Sequence, residues 1–231
     1  MRFTLDDPPF AGRTGVGVTI AVLDSGIHAH HPHIGGSVGG VNLVGERGRD
    51  DYVDRIGHGT AVAAAIREKS PGAELLAVRV FDRQLATNVQ TLVDAIVWSA
   101  DAGAALINLS LGTANFANAE LLAEAVAHAT SRGSVVVSAR MSNDVEWLPG
   151  SLDGVAGVIA DWTCDRDALD VTLRHAALPI FTASAYPRPI PNVPREQNLS
   201  GVSFAVANVT GFLGRAVEEA GGDAIEALRG L

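Results

Sequence analysis

Apolar runs rich in Val, Ile and Leu alternate along the chain with segments whose apolar positions recur at helical spacing. Strands buried on both faces read as unbroken apolar runs, so this alternation predicts an α/β fold, a three-layer, mostly parallel twisted sheet with helices on both faces. The first run spans Val16 to Leu23 and stops at Asp24-Ser25-Gly26. A helix is expected from His58 to about Arg67, ended by Ser70-Pro71-Gly72, followed by a strand from Leu75 to Phe81. Next come a helix from Thr87 to Ala102 with Thr87 as its cap, a strand from Leu106 to Leu109, and a helix near Ala117 to Ser131 ended by Arg132-Gly133. Strands follow at Val135 to Ala139 and Gly154 to Ala160. Residues 161–200 hold Pro179, Pro187, Pro189, Pro191 and Pro194 and read as short strands and loops. Val202 to about Glu219 reads as a long helix and Asp223 to Arg229 as a short one. No internal repeat, low-complexity tract or linker interrupts the pattern, so residues 1–231 are expected to form a single domain.

Composition narrows the partners. The net charge is −9, and Lys69 is the only lysine among 17 basic residues, which argues against a phosphate-binding surface and so against nucleic acid. A lone cysteine, Cys164, forms no internal disulfide and reads as a small buried hydrophobe. The start, Met1-Arg2-Phe3-Thr4-Leu5-Asp6-Asp7-Pro8-Pro9, lacks the apolar run of a signal peptide, and no stretch approaches the ~18 apolar residues of a membrane span. A cytoplasmic chain with no membrane partner is expected.

Ligands in open α/β sheets sit beyond the carboxyl ends of the strands. Three polar residues fall at such places: Asp24 closes the first strand, His58 opens a helix behind Gly57, and Ser203 begins the long helix behind Gly201. Singly they read as a turn residue, a structural histidine and an N-cap. Together they suit nucleophilic catalysis, in which an imidazole takes the hydroxyl proton while the carboxylate fixes its tautomer.

The segments around them are more specific. Val18-Thr19-Ile20-Ala21-Val22-Leu23-Asp24-Ser25-Gly26, Gly57-His58-Gly59-Thr60-Ala61-Val62-Ala63 and Ser200-Gly201-Val202-Ser203-Phe204-Ala205 resemble, in this order, the three active-site motifs of the subtilisin-like serine proteases. Ala73 to Asp82 resembles that family's strand after the histidine helix, and Ile107-Asn108-Leu109-Ser110-Leu111-Gly112 its substrate-pairing strand. The intervals of 34 residues from Asp24 to His58 and 145 from His58 to Ser203 suit the family, the second being short. The resemblance runs from about Val16 to Gly211. It implies Ser203 as nucleophile, His58 as general base and then acid, and Asp24 as the orienting carboxylate, with Ser110, Leu111 and Gly112 pairing to a peptide substrate as an added strand.

Departures from the family pattern suggest a restricted specificity. The family's oxyanion asparagine follows a small-residue run ending Gly-Asn, whereas this chain continues from Ala139 through Arg140-Met141-Ser142-Asn143. Asn143 has the better donor for that role, with Ser142 as the alternative. Ala139, Arg140 and Met141 would line the pocket for the residue before the cut, and the long side chains there would narrow it. Leu85, Ala86 and Thr87 stand where relatives carry a Gly-rich substrate strand, and Val202 replaces the usual threonine before the nucleophile. With only about 15 residues before the first strand, no folding prosegment is expected. These features suggest a serine endopeptidase that processes a dedicated precursor, a peptide natural product or another cellular protein. The rival expectation is a catalytically weak or silent domain that binds peptide, or that needs a partner subunit to complete its cleft.

No cofactor or metal is expected. His28, His30, His31 and His33 lack a completing carboxylate or cysteine nearby and read as a solvated loop. The acidic groups Asp50-Asp51 with Asp54, and Asp161 with Asp165 and Asp167, lack the ligand spacing of a calcium loop and read as solvated surface.

Overall fold

The computed structural model describes residues 1–36, 38–142, 144–174 and 177–231. Among them the strands are β1 (Arg2–Thr4), β2 (Thr19–Asp24), β3 (Gly39–Asn42), β4 (Glu74–Arg79), β5 (Leu106–Leu109), β6 (Val135–Ser142), β7 (Val145–Glu146), β8 (Val155–Asp161), β9 (Ala168–Arg174) and β10 (Ala177–Ser184). The helices are α1 (His58–Lys69), α2 (Val89–Asp101), α3 (Ala119–Ser131), α4 (Val202–Glu219) and α5 (Ala224–Arg229). The strands form one sheet in the order β1-β9-β10-β8-β6-β5-β2-β4-β3, with β7 paired to β6 off that path. Pairing is parallel from β10 through β8 to β3. It is antiparallel where β9 meets β1 and β10, and in the β6–β7 hairpin.

The period of two along each strand divides the core. Ile20 and Val22 of β2, Leu106 of β5 and Val135, Val137 and Ala139 of β6 pack with α1, α4 and α5. Ala21, Leu23, Ile107, Leu109 and Val136 face the other way, onto α2 and α3. Alternate positions of the same apolar runs thus supply both inner layers, as an all-apolar strand requires. On the first face α1 and α4 pack closely, and Ser70 Oγ at the end of α1 donates to the Gly211 carbonyl of α4 at 2.7 Å. No helix among the described residues is long and apolar enough to cross a membrane.

The elements differ from the expectations in detail, and β1, β3 and β7 are not among the expected strands. The cap of α2 is Asn88, one residue after Thr87, because the Asn88 carboxamide oxygen accepts from Thr91 N at 2.9 Å. Within 161–200, read as short strands and loops, the strands are β9 and β10, of seven and eight residues and so longer than expected. Their alternation was obscured because β9 is exposed over part of its length and β10 carries Pro179.

Candidate active site

Asp24 ends β2 on the same face as Ile20 and Val22, which directs it toward α1 and α4, and it is fully buried. His58 is the first residue of α1, entered through Gly57 in a left-handed conformation at φ 93°. Its Nδ1 donates to Asp24 Oδ1 at 2.8 Å and lies 3.0 Å from Oδ2. The approach depends on the next residue: a β-carbon at Gly59 would stand 2.2 Å from the Gly26 carbonyl oxygen and 3.1 Å from Asp24 Cβ. The Gly-His-Gly sequence is therefore what lets the helix start rest on the end of the strand.

A second carboxylate holds this junction. Asp54 accepts from Ile56 N, Gly57 N and Ser25 Oγ through Oδ1, and from Thr60 N and Thr60 Oγ1 through Oδ2, at 2.6–2.9 Å. The residue is buried, which corrects its expected place on a solvated surface. Burial alone would raise its pKa, but the hydrogen bonds from Thr60, Gly57 and Ile56 outweigh that and hold it below the usual carboxylate value. In effect it caps α1 from four residues ahead, taking the Thr60 N–H of the first turn and the Gly57 N–H before it. Ser25 joins the two acids, donating to Asp54 while its backbone N–H donates to Asp24 Oδ1 at 2.8 Å. Burial disfavours the His58 cation, but the Asp24 hydrogen bond and charge, with the charge of Asp54, prevail and raise its pKa above the ordinary histidine value.

Ser203 is the second residue of α4, beyond Gly201, and Phe204 beside it packs its ring 5.7 Å from the His58 imidazole. Its hydroxyl donates to the Ser110 carbonyl at 3.0 Å, and the Ser110 hydroxyl donates back to the Ser203 carbonyl at 3.3 Å. Among the described residues no hydrogen bond joins Ser203 Oγ to His58. Behind this pair, Asn108 Nδ2 donates to Ser110 Oγ at 2.9 Å and Thr210 Oγ1 donates to Asn108 Oδ1 at 2.9 Å. These buried polar groups tie α4 to β5 and fix where the serine stands. Asn108 was visible in the sequence as a polar residue inside an apolar run; its partner Thr210, over 100 residues away, was not.

A cleft of about 570 Å³ brings His58 and Ser203 together with Leu85, Ala86, Thr87, Ser110, Leu111 and Gly112. The structure does not bring Ala139, Arg140 and Met141 to it. Ala139 is fully buried, Met141 pairs with Glu146 across the β6–β7 hairpin, and Arg140 reaches back to Glu146 at 3.5 Å and the Ser151 carbonyl at 3.5 Å. Trp147, which no sequence signal singled out, lines the cleft instead and lies against Gly112, where a β-carbon would be 3.1 Å from the indole. Ser142 pairs with Val145 in the hairpin, and Asn143 lies outside the described residues.

Among the described residues no three His, Cys, Asp or Glu side chains are arranged to hold a metal ion. His31 Nδ1 accepts from His33 N at 3.2 Å and the two rings meet edge to face. Asp161 closes a turn by accepting from Thr163 N at 2.7 Å, while Asp167 pairs with Lys69 at 3.2 Å. Cys164 is buried, which pushes its thiol pKa up.

Comparison with known proteins places this geometry in context. Residues 15–148 match the model of the subtilase family. The chain is 36% identical over 165 residues to a thermophilic serine proteinase of Bacillus sp. (strain AK1), a match covering 65% of this chain and 40% of that protein. It is 31% identical over 217 residues to thermitase of Thermoactinomyces vulgaris, covering 87% and 75%. It is 37% identical over 137 residues to subtilisin Savinase of Lederbergia lenta, covering 55% and 49%. The match thus spans less than half the length of the first and third relatives. Among solved structures, a lanthipeptide protease superposes with a TM-score of 0.75 at 20% identity, over 94% of this chain and 80% of that one, which establishes likeness of fold.

Proposed function

Since the chain belongs to the subtilase family, we propose that it is a serine endopeptidase with Ser203 as nucleophile, His58 as general base and then acid, and Asp24 as the orienting carboxylate. The observation that carries the reading is the buried Asp24 bonded to His58 Nδ1 at 2.8 Å in a cleft whose lining also holds Ser203. Asp24 would keep the Nε2 lone pair available and stabilise the imidazolium formed when the Ser203 proton is taken. Attack on a peptide carbonyl gives an acyl-enzyme and frees the amine half, which leaves with the proton from His58; water then releases the acyl half. The N–H groups in the first turn of α4 favour a developing oxyanion, and the side chain of Asn143, or of Ser142, is the expected further donor. Leu85, Ala86 and Thr87 on one side and Ser110, Leu111 and Gly112 on the other would hold the substrate backbone.

The substrate is proposed to be one dedicated precursor peptide. Support comes from the bulky side chains of Leu85 and Trp147 in the cleft and from the likeness of fold to a lanthipeptide protease. The single buried cysteine suits a cytoplasmic, reducing setting. A fluorophosphonate probe should label the purified protein, and Ser203→Ala should abolish labelling. A folded wild type that stays unlabelled would overturn the reading.

One observation favours a second reading, a weak or silent peptide-binding domain completed by a partner subunit: the Ser203 hydroxyl donates to Ser110 and makes no hydrogen bond to His58. Labelling that appears only in the presence of a copurifying chain would select it.

A further inference from the structure

A recess of about 620 Å³ lies beside the cleft, lined by Arg47, Arg55, Arg79 and Arg83 with Glu46 and Asp82. Four guanidinium groups gathered in one concavity stand out on a protein of net charge −9. Arg79 is 1% exposed. Its Nη1 donates to Asn42 Oδ1 at 3.1 Å, and its Nη2 donates to Asp82 Oδ1 at 2.7 Å and to the Asp82 carbonyl at 3.1 Å. Its Nε is buried without a hydrogen-bond partner among the described residues. Buried and bonded in this way, Arg79 leaves contact with a ligand to the more exposed Arg47, Arg55 and Arg83. The other charges are only partly matched: Asp51 serves both Arg47, at 3.5 Å, and Arg55, at 2.8 Å. Arg83, 92% exposed, comes no nearer to Asp82 than 3.8 Å.

The recess adjoins the cleft through the chain itself. Asp82 and Arg83 lie between Phe81 and Leu85, both of which line the cleft, and Arg55 and Ile56 lead into Gly57 and His58. Arg83 of the recess is two residues from Leu85, against which the substrate would be held.

We propose that this recess docks carboxylate side chains of the peptide substrate, an acidic stretch flanking the bond held in the cleft. The inference rests on the peptidase reading and extends it by naming the chemistry of the substrate. Guanidinium groups match carboxylates in planar, bidentate geometry. At long range a protein of this net charge repels an acidic peptide; within a screening length of about 8–10 Å the exposed and loosely paired Arg47 and Arg83 offer it cationic partners at one place.

The test uses two peptides sharing a cleavable sequence chosen by the wild type from a library, one flanked by Glu-Glu-Glu and the other by Gln-Gln-Gln. The wild type should prefer the acidic peptide through a lower KM. Arg47→Gln with Arg83→Gln, both solvent-facing, should cut that preference about 3- to 10-fold, and about 1 M salt should do the same to the wild type. Absence of a preference, or a preference unchanged by the double variant, overturns the proposal. Fluorophosphonate labelling reports separately on the peptidase reading. If labelling fails, no cleavable sequence is available, and fluorescence anisotropy of two labelled peptides of one glycine–serine sequence, carrying Glu-Glu-Glu or Gln-Gln-Gln, decides on the wild-type chain: acidic-selective binding lost in the double variant supports the recess, and equal binding of both peptides, or a selectivity the double variant keeps, refutes it.

Discussion

Replacing Asp54 with alanine would remove the acceptor of five hydrogen bonds at the start of α1. The Ser25 and Thr60 hydroxyls can turn to other acceptors, but the N–H groups of Ile56, Gly57 and Thr60 are fixed by the backbone. Each stranded buried donor costs about 1–3 kcal/mol, and water entering the space left by the side chain recovers part of that. The net loss should be about 3–5 kcal/mol, read as a fall in Tm of about 6–20 °C in a chain of this size. Linkage sets the direction with pH. The folded pKa of Asp54 is lowered, so its contribution is complete above the unfolded carboxylate value near 3.9 and is lost as pH falls through the folded value. Thermal melts followed by circular dichroism should therefore show a gap between wild type and variant that is constant near neutrality and narrows below about pH 4. A loss under about 1 kcal/mol, or a gap that does not shrink in acid, would refute the assignment of Asp54 as the carboxylate that holds the His58 turn.

Three other outcomes follow from the geometry. Labelling by a fluorophosphonate needs neutral His58, so its rate should rise with pH about a midpoint above 6.5, and Asp24→Asn should lower that midpoint and slow the reaction roughly 10⁴-fold; an unmoved midpoint contradicts the pairing. Gly59→Ala drives a methyl into the Gly26 carbonyl and toward Asp24, so it should lose about 2–3 kcal/mol in denaturant unfolding together with labelling, whereas a neutral result would show that the strand end and helix start are not in contact. Lys69, buried over Phe212 with Asp167 as an exposed partner, is held by burial below the usual lysine pKa. Wild-type stability should therefore rise with pH toward 10.5, and Lys69→Met should flatten that slope at a cost of no more than about 1 kcal/mol, which pH-dependent melts would check.

The sequence by itself determined the central sheet, the helices on both faces and the three polar residues at its edge. Apolar runs that need burial on two sides leave few other architectures, and Asp24, His58 and Ser203 each sit where an apolar run begins or ends. The motifs around them are local, so they could be read along the chain. The tertiary structure decided matters that depend on residues distant in sequence. Asp54 looked like part of an acidic surface cluster because its burial comes from the packing of Ser25 and Thr60 around it. Arg140 looked like a pocket residue until the β6–β7 hairpin drew it to Glu146 and Ser151, leaving that wall to Trp147. The four arginines of the recess come from segments separated by up to 36 residues, Arg47 to Arg83, and only the parallel pairing of β3 with β4 brings those segments together. A one-dimensional pattern reports what each residue needs, burial or solvent. Which neighbour satisfies a buried charge is set by chain crossings that the pattern does not encode.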